Sequence, residues 1–189
     1  MEASFIDKLV SEGLLRQGHF AFRSGRHSKG LIDRDLLLAD PAVASHFGYL
    51  IAKTFFTDHV EAIATPSIWG AGLAQWVGYF LEPRAKVVDA SMHDGSLRIA
   101  QNLTSLVEGR RVLVLDNLII SGQTMSQFLS LLKSLGATII GVAALWTSSG
   151  SMVDGFPVST LLNDQFPAVT EADCPLCASQ MLPLETVAY

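Results

Sequence analysis

The 189-residue sequence lacks the long apolar run and the basic cluster that mark two large classes of protein. No stretch approaches the ~20 consecutive apolar residues that a membrane-spanning helix needs. No group of five or more lysines and arginines occurs, and the net charge is −5, which disfavours general nucleic-acid binding. The first residues also lack the charged and then apolar pattern of a signal peptide, so we expect a cytoplasmic protein that contacts neither membranes nor nucleic acids.

Cysteine is scarce, and the two that occur, Cys174 and Cys177, are separated by two residues. Two thiols supply only half of a four-thiolate zinc site, and no histidine follows them. A thioredoxin-like pair would lie near the start of a helix in a βαβ unit rather than beside a C-terminal tail. We interpret the pair as reduced structural thiols, with a zinc ion shared between subunits or a disulfide as the alternatives.

Repeats, low-complexity linkers and two common nucleotide-binding motifs are also missing. Neither the Gly-Lys-Ser/Thr P-loop nor the Gly-x-Gly-x-x-Gly dinucleotide motif occurs in the sequence. The length suits one domain, since domains typically have ~100–200 residues. We therefore expect residues 1–189 to form a single domain whose binding site has to be found from other patterns.

Short apolar segments alternate with helical patterns through the middle of the chain. The patterns predict strands over 61–65, 85–88, 112–115 and 138–145, and helices over 4–12, 41–56, 70–81 and 122–135. Continuously apolar strands separated by helices are typical of a parallel sheet covered on both faces. The predicted fold class is α/β, in which ligands bind at the carboxyl ends of the strands.

Residues 112–124, VLVLDNLIISGQT, form the most informative segment. An apolar strand ends at Asp116, and a short loop supplies Ser121, Gly122 and Thr124 before a helix begins. Backbone N–H groups and hydroxyls at a helix N-terminus suit a phosphate group. Asp116 is placed to accept hydrogen bonds from sugar hydroxyls or to orient a bound Mg²⁺ ion. The simpler alternative is that Ser121 or Thr124 only caps the helix.

This segment resembles the 5-phosphoribosyl-1-diphosphate (PRPP) signature of type I phosphoribosyltransferases. Residues 18–28 and 36–41 resemble the N-terminal region of orotate phosphoribosyltransferases, and 65–73 lie where that family has its diphosphate loop. The Cys-Pro-Leu-Cys tail resembles the C-termini of some members. The resemblance implies a parallel sheet flanked by helices, with a small hood formed by residues 1–40 and roughly 155–189.

The resemblance also implies a set of site residues. Asp116 and Asn117 take the catalytic positions that face the ribose hydroxyls. The 5-phosphate loop comprises Ile120, Ser121, Gly122, Gln123 and Thr124, and the diphosphate loop comprises Ser67, Ile68, Trp69 and Gly70. The implied cofactor is Mg²⁺, which arrives with PRPP and has no direct protein ligand. The implied partners are PRPP, a nitrogenous base or nucleotide, and a second copy of the chain in a homodimer.

Three parts of the sequence depart from the family pattern. Residues 88–95 match the mobile catalytic loop but contain no lysine or arginine, which leaves His93, Asp94 and the nearby Arg98 as its candidates. Asn117 replaces the second acidic residue. Thr147 stands where an arginine would hold the carboxylate of orotate. The candidate contacts to the base or to an anion are Arg23, Arg26, Leu31, Ile32 and Trp146.

These observations predict a phosphoribosyltransferase of the orotate-like group, which transfers the phosphoribosyl group of PRPP to a nitrogenous base and releases diphosphate. The alternative is a catalytically impaired homologue that binds PRPP or a nucleotide as a sensor or assembly partner. The missing cations of residues 88–95 and the uncharged Asn117 support this alternative.

Overall fold

A computed structural model describes residues 7, 9–148, 150–162, 166–179 and 181–188. The strands are β1 Leu15–Ala21, β2 Arg26–Ile32, β3 Ala62–Thr65, β4 Lys86–His93, β5 Ser96–Ile99, β6 Arg111–Ile119, β7 Thr138–Thr147, β8 Met152–Val153, β9 Phe156–Leu162, β10 Val169–Thr170 and β11 Leu184–Thr186. The α-helices are α1 Arg34–Ala39, α2 Pro41–Thr54, α3 Ile68–Phe80, α4 Gln123–Ser134 and α5 Pro175–Ser179, and a 3-10 helix spans Gln101–Leu106. Within these ranges, no helix is both long enough and apolar enough to cross a membrane.

The larger of two sheets has the strand order β5-β4-β3-β6-β7-β9-β8. Its five central strands pair in parallel, and the edge strands β5 and β8 are antiparallel to their neighbours. Side chains alternate between the two faces, as expected for extended backbone. Ile63 and Leu113 pack with α2 and α3 on one face, and Ala62 and Val112 pack with α4 on the other. The predicted α/β fold with a parallel sheet is confirmed.

The three long helices begin and end within two residues of their predicted bounds, and α2 and α4 have local end signals. The side chain of Asp40 accepts hydrogen bonds from the backbone N–H groups of Ala42 and Val43, and Pro41 occupies the first turn of α2. Gly136 has φ 78°, a left-handed conformation that ends α4. Of the first predicted helix, residues 7 and 9–11 are helical, and residues 1–6 and 8 lie outside the described residues.

The smaller sheet has the order β10-β2-β1-β11 and forms the hood from both ends of the chain. β1 and β2 make an antiparallel hairpin, which the sequence analysis did not predict. Its regular alternation is broken by a register shift between Gln17 and Phe20, which hides the strand pattern. The expected hood boundary near residue 155 is wrong, because β9 pairs with β7 in the larger sheet. The C-terminal part of the hood instead begins with β10.

Candidate active site

The carboxyl end of β6 borders a cavity of about 440 Å³ between the larger sheet and the hood. This volume lies within the range of small-molecule sites, ~300–1,000 Å³. Eight of the residues named from the sequence line it: Arg23, Trp69, Asp116, Ile120, Ser121, Gly122, Gln123 and Thr124. The other lining residues are Ser24, Arg34, Met92, Leu118, Ile119, Met125 and Ala188. Both sheets therefore contribute to one site.

The loop that leads into α4 forms one wall of the cavity. Gly122 has φ 76°, a left-handed backbone conformation that glycine adopts at little cost, and α4 begins at the next residue. The hydroxyl of Ser121 accepts a hydrogen bond from the N–H of Gln123 at 3.4 Å. The first N–H groups of an α-helix have no acceptor within the helix, and they carry a partial positive charge. This wall is therefore suited to an anion such as phosphate.

Asp116 lies in the carboxyl-terminal half of β6, which continues to Ile119 rather than ending at Asp116 as predicted, and it lines the cavity. Its Oδ1 accepts a hydrogen bond from the backbone N–H of Asn117 at 2.8 Å. Burial raises the pKa of Asp116 to about 6, although the Asn117 N–H and the positive charge of Arg34 act in the opposite direction. The carboxyl group is therefore mostly ionised above pH 7 and can accept hydrogen bonds from hydroxyl groups.

Asn117, the second predicted catalytic residue, faces the interior. It is completely buried, and its Nδ2 donates to the backbone carbonyl of Trp69 at 2.7 Å. Its Oδ1 has no hydrogen-bond partner among the described residues. Successive side chains in a strand point to opposite faces, so Asp116 borders the cavity and Asn117 does not. The expectation that Asn117 faces the ribose hydroxyls is wrong for this structure, in which it ties β6 to the start of α3.

The predicted diphosphate loop joins β3 to α3. Of its four residues, Trp69 lines the cavity, and Ser67, Ile68 and Gly70 do not. The carbonyl of Ser67 accepts a hydrogen bond from the hydroxyl of Thr65 at 2.7 Å, and Ile68 is 65% exposed. A Cβ atom at Gly70 would lie 3.0 Å from the Cβ of Thr65. Glycine therefore permits α3 to begin close against β3.

Four of the five candidate base or anion contacts lie away from the cavity. Leu31, Ile32 and Trp146 are at most 2% exposed and belong to the hydrophobic core. Arg26 is directed elsewhere, since its Nη1 donates to the carbonyl of Ala168 at 2.9 Å within the hood. Only Arg23, in the turn between β1 and β2, lines the cavity. The other four expectations are wrong because those side chains hold the hood and core together.

The segment that matches the family's mobile loop forms a β-hairpin. Val88 to His93 belong to β4, which pairs with β5, and the turn contains Asp94 and Gly95 with φ of 48° and 76°. His93, Asp94 and Arg98 are exposed, and none of them lines the cavity. Met92 reaches the cavity instead. The hairpin, as it stands, brings no cation to the site.

Arg34 is the functional candidate that the sequence analysis missed. It opens α1, lines the cavity, and places its guanidinium carbon 5.1 Å from the centre of the Trp69 ring. Its charge also lowers the pKa of Asp116. A cation in the first turn of a helix is electrostatically unfavourable. The presence of Arg34 at this position is therefore the sequence feature that could have indicated a functional role.

A parallel α/β sheet whose central strand carries Asp116 near its carboxyl end, followed by a phosphate-suited loop beneath a hood, defines a type I phosphoribosyltransferase-like site. Residues 34–173 match the family model described as a phosphoribosyl transferase domain. The chain belongs to the phosphoribosyltransferase family, and the predicted PRPP-dependent phosphoribosyl transfer in nucleotide metabolism is confirmed at this level. It is accordingly an enzyme of phosphoribosyl transfer.

Its relatives specify the group within the family. The chain is 31% identical over 176 residues to an orotate phosphoribosyltransferase of Thermus thermophilus, covering 93% of this chain and 94% of the relative. It is 29% identical over 178 residues to that of Thermotoga maritima, with 94% and 93% covered. The fold is similar to orotate phosphoribosyltransferase from Aeropyrum pernix, with a TM-score of 0.61, 20% identity, and 80% and 89% covered. It is also similar to Leishmania donovani UMP synthase, with a TM-score of 0.65, 18% identity, and 86% and 36% covered.

Proposed function

We propose that the cavity at the end of β6 binds PRPP and that the chain transfers its phosphoribosyl group to orotate. The observation that carries the proposal is that Asp116, the loop of residues 120–124 and the hood residue Arg23 border one cavity. The likeness to proteins named orotate phosphoribosyltransferase, over more than nine-tenths of the chain, supports orotate as the base.

The geometry supports a division of roles within PRPP. The 5-phosphate binds the loop at the N-terminus of α4, where the first N–H groups of the helix and the hydroxyls of Ser121 and Thr124 border the cavity. The ribose hydroxyls donate hydrogen bonds to Asp116. As the bond to diphosphate breaks, positive charge develops on the sugar, and the nearby carboxylate stabilises that charge.

Magnesium is proposed to enter the site with PRPP. Asp116 is the only carboxylate that lines the cavity among the described residues. One carboxylate fits Mg²⁺, which is commonly held by one or two carboxylates together with substrate phosphates and water. A bound Mg²⁺ ion would neutralise charge on the diphosphate, and among the described residues the cavity offers it a single carboxylate, that of Asp116.

Two arginines are proposed to bind the remaining anionic groups. Arg34 lies beside Trp69 at the start of α3 and receives the diphosphate. Arg23, from the hood, pairs with the carboxylate of orotate, a group that favours a bidentate guanidinium partner. Thr147 is excluded from this role because it is buried and its hydroxyl donates to the carbonyl of Ile119 at 3.1 Å.

The test is diphosphate release in the presence of PRPP, Mg²⁺ and a panel of bases that includes orotate. We expect orotate-dependent release in the wild type, a fall of roughly 10²–10³-fold in kcat for Asp116→Asn, and a raised KM for orotate in Arg23→Ala. Tight PRPP binding without turnover on any base would contradict transfer and favour the impaired homologue. Release with a different base, and not with orotate, would overturn only the choice of base.

We also propose that the protein is a cytoplasmic homodimer. Four aromatic residues on α2 and α3 are linked by ring contacts, with ring centres 5.3–6.4 Å apart, and form an aromatic patch. The patch consists of Tyr49, Trp76, Tyr79 and Phe80. Tyr49 and Tyr79 are about half exposed, and contiguous apolar surface of this kind supports a covering partner.

A further inference from the structure

Four side chains from both ends of the chain converge on one point in the hood. His19 lies on β1, His27 on β2, Cys174 just before α5, and Cys177 within α5. Their ligand atoms all lie within 4.8 Å of one another. His19, His27 and Cys174 are buried, and Cys177 is partly buried. The cluster is separate from the PRPP cavity, since none of the four residues lines it.

Hydrogen bonding alone does not account for this arrangement. The Nε2 atom of His19 lies 3.2 Å from Nδ1 of His27 and 3.4 Å from the Sγ atoms of both Cys174 and Cys177. The Nδ1 atom of His27 is also 3.1 Å from Sγ of Cys177. A neutral imidazole nitrogen carries either one proton or one lone pair and therefore makes one hydrogen bond. The Nε2 atom of His19, however, has three polar neighbours within 3.4 Å. A cation at the common centre would satisfy all four atoms together.

The spacing is close to that of a tetrahedral zinc site, and small side-chain shifts would bring the four atoms to ideal positions. With Zn–N of about 2.05 Å and Zn–S of about 2.3 Å, tetrahedral angles separate two nitrogens by about 3.3 Å and a nitrogen from a sulfur by about 3.6 Å. The observed N–N distance is 3.2 Å, three of the four N–S distances are 3.1, 3.4 and 3.4 Å, and all pairs lie within 4.8 Å. We propose that His19, His27, Cys174 and Cys177 bind one zinc ion in a Cys₂His₂ site.

The proposed site is structural rather than catalytic. All four positions of a tetrahedral ion are taken by protein atoms, which leaves no position for water or substrate. The pieces it joins have little core of their own: β10 has two residues, β11 has three exposed residues, and α5 has five residues with none buried. Zinc bound by β1, β2 and α5 would hold this C-terminal segment against the hairpin. That hairpin carries Arg23 in its turn, so the ion would also steady the hood side of the cavity.

Metal content and cobalt substitution test the site directly. The full chain is purified without a histidine tag under reducing conditions, stripped with a chelator, and titrated with Zn²⁺ or Co²⁺. We expect binding of about one ion per chain, and for Co²⁺ the intense visible absorption of a tetrahedral ion with a sulfur-to-metal band in the near ultraviolet. Bound zinc is also expected to protect both thiols from alkylation and to raise the melting temperature by several degrees.

Variants identify the ligands and provide a matched control. Cys177→Ser and His27→Ala should each abolish stoichiometric binding, and His46→Ala, which alters an exposed histidine on α2, should leave it unchanged. A wild-type chain that binds neither ion with its thiols reduced would overturn the proposal. So would zinc content that persists in both ligand variants. The cobalt spectrum is recorded on the wild type, so the proposal can be tested even if a ligand variant fails to fold.

Discussion

Asp116 is the residue in which the stability of the fold and the chemistry of the site are opposed. Burial raises its pKa to about 6 from an ordinary value of 3.8, so the folded state binds more protons than the unfolded state between these pH values. The stability that this carboxyl group contributes is therefore fully present below pH 3.8. It is lost as the pH rises through 6, where the buried group ionises and becomes able to accept hydrogen bonds from a sugar.

Asp116→Asn separates the two effects. Because the amide carries no charge, we expect the variant to unfold with a free energy up to about 3 kcal/mol higher than the wild type at pH 8, and with a similar free energy at pH 4. Urea denaturation of both proteins at the two pH values measures this difference. A variant less stable than the wild type at pH 8 would contradict the assigned burial cost.

In the wild type, kcat/KM should fall as the pH decreases below about 6.

Asn117→Asp restores the acidic pair of the family and, in this structure, should be harmful. The new side chain loses the N–H donor to the Trp69 carbonyl and places a second buried carboxyl group beside Asp116. We expect a loss of about 3 kcal/mol or more at pH 8 and a smaller loss at pH 5, where protonation is easier. Asn117→Ala serves as the control, since it loses the same donor without charge and should show no such pH dependence. Melting curves against pH distinguish the two variants.

At the scale of elements, α4 carries the phosphate loop at one end and an ordinary helix stop at the other. Gly122 and Gly136 both have left-handed backbone conformations, with φ of 76° and 78°. Gly122 lines the cavity, and Gly136 does not. The two ends of one helix therefore share the same backbone requirement and differ in their relation to the ligand.

Gly122→Ala and Gly136→Ala form a matched pair. Each adds a Cβ atom in the left-handed region and should lower the free energy of unfolding by about 1–2 kcal/mol. Only Gly122→Ala should also raise the KM for PRPP, by tenfold or more, because it displaces the N–H groups that face the phosphate. Chemical denaturation and steady-state kinetics on both variants provide the measurements. Equal effects on KM would show that the loop before α4 does not bind the substrate.

At the scale of the whole molecule, the aromatic patch predicts self-association. Sedimentation velocity should find a dimer for the wild type at micromolar concentration, and Tyr79→Asp should shift it towards monomer because a charge is buried in the interface. Met152→Asp alters a similarly exposed apolar side chain outside the patch and should leave the dimer intact. A monomeric wild type, or equal dissociation caused by both substitutions, would contradict the proposal that the aromatic patch forms a dimer interface.

Local patterns were sufficient for those parts of the chain whose structure depends on neighbours in sequence. The central strands were recognised from apolar runs that both faces of the sheet bury, and the ends of α2 and α4 from Asp40, Pro41 and Gly136. The β1–β2 hairpin was missed because a register shift interrupts its alternation. Arg34 was missed because its proximity to Asp116 arises from folding, across about 80 positions of sequence.

The sequence by itself determined the α/β class, the family and the loop of residues 112–124, since each depends on consecutive residues. Tertiary structure alone decided which of the named residues border the cavity. In one strand, alternation directs Asp116 outward and Asn117 inward. The tertiary structure also brought His19 and His27 close to Cys174 and Cys177. The two cysteines alone had supplied only half of the ligands of a zinc site. The hood pairs strands from opposite chain ends, so residues some 150 positions apart become neighbours that no local pattern predicts.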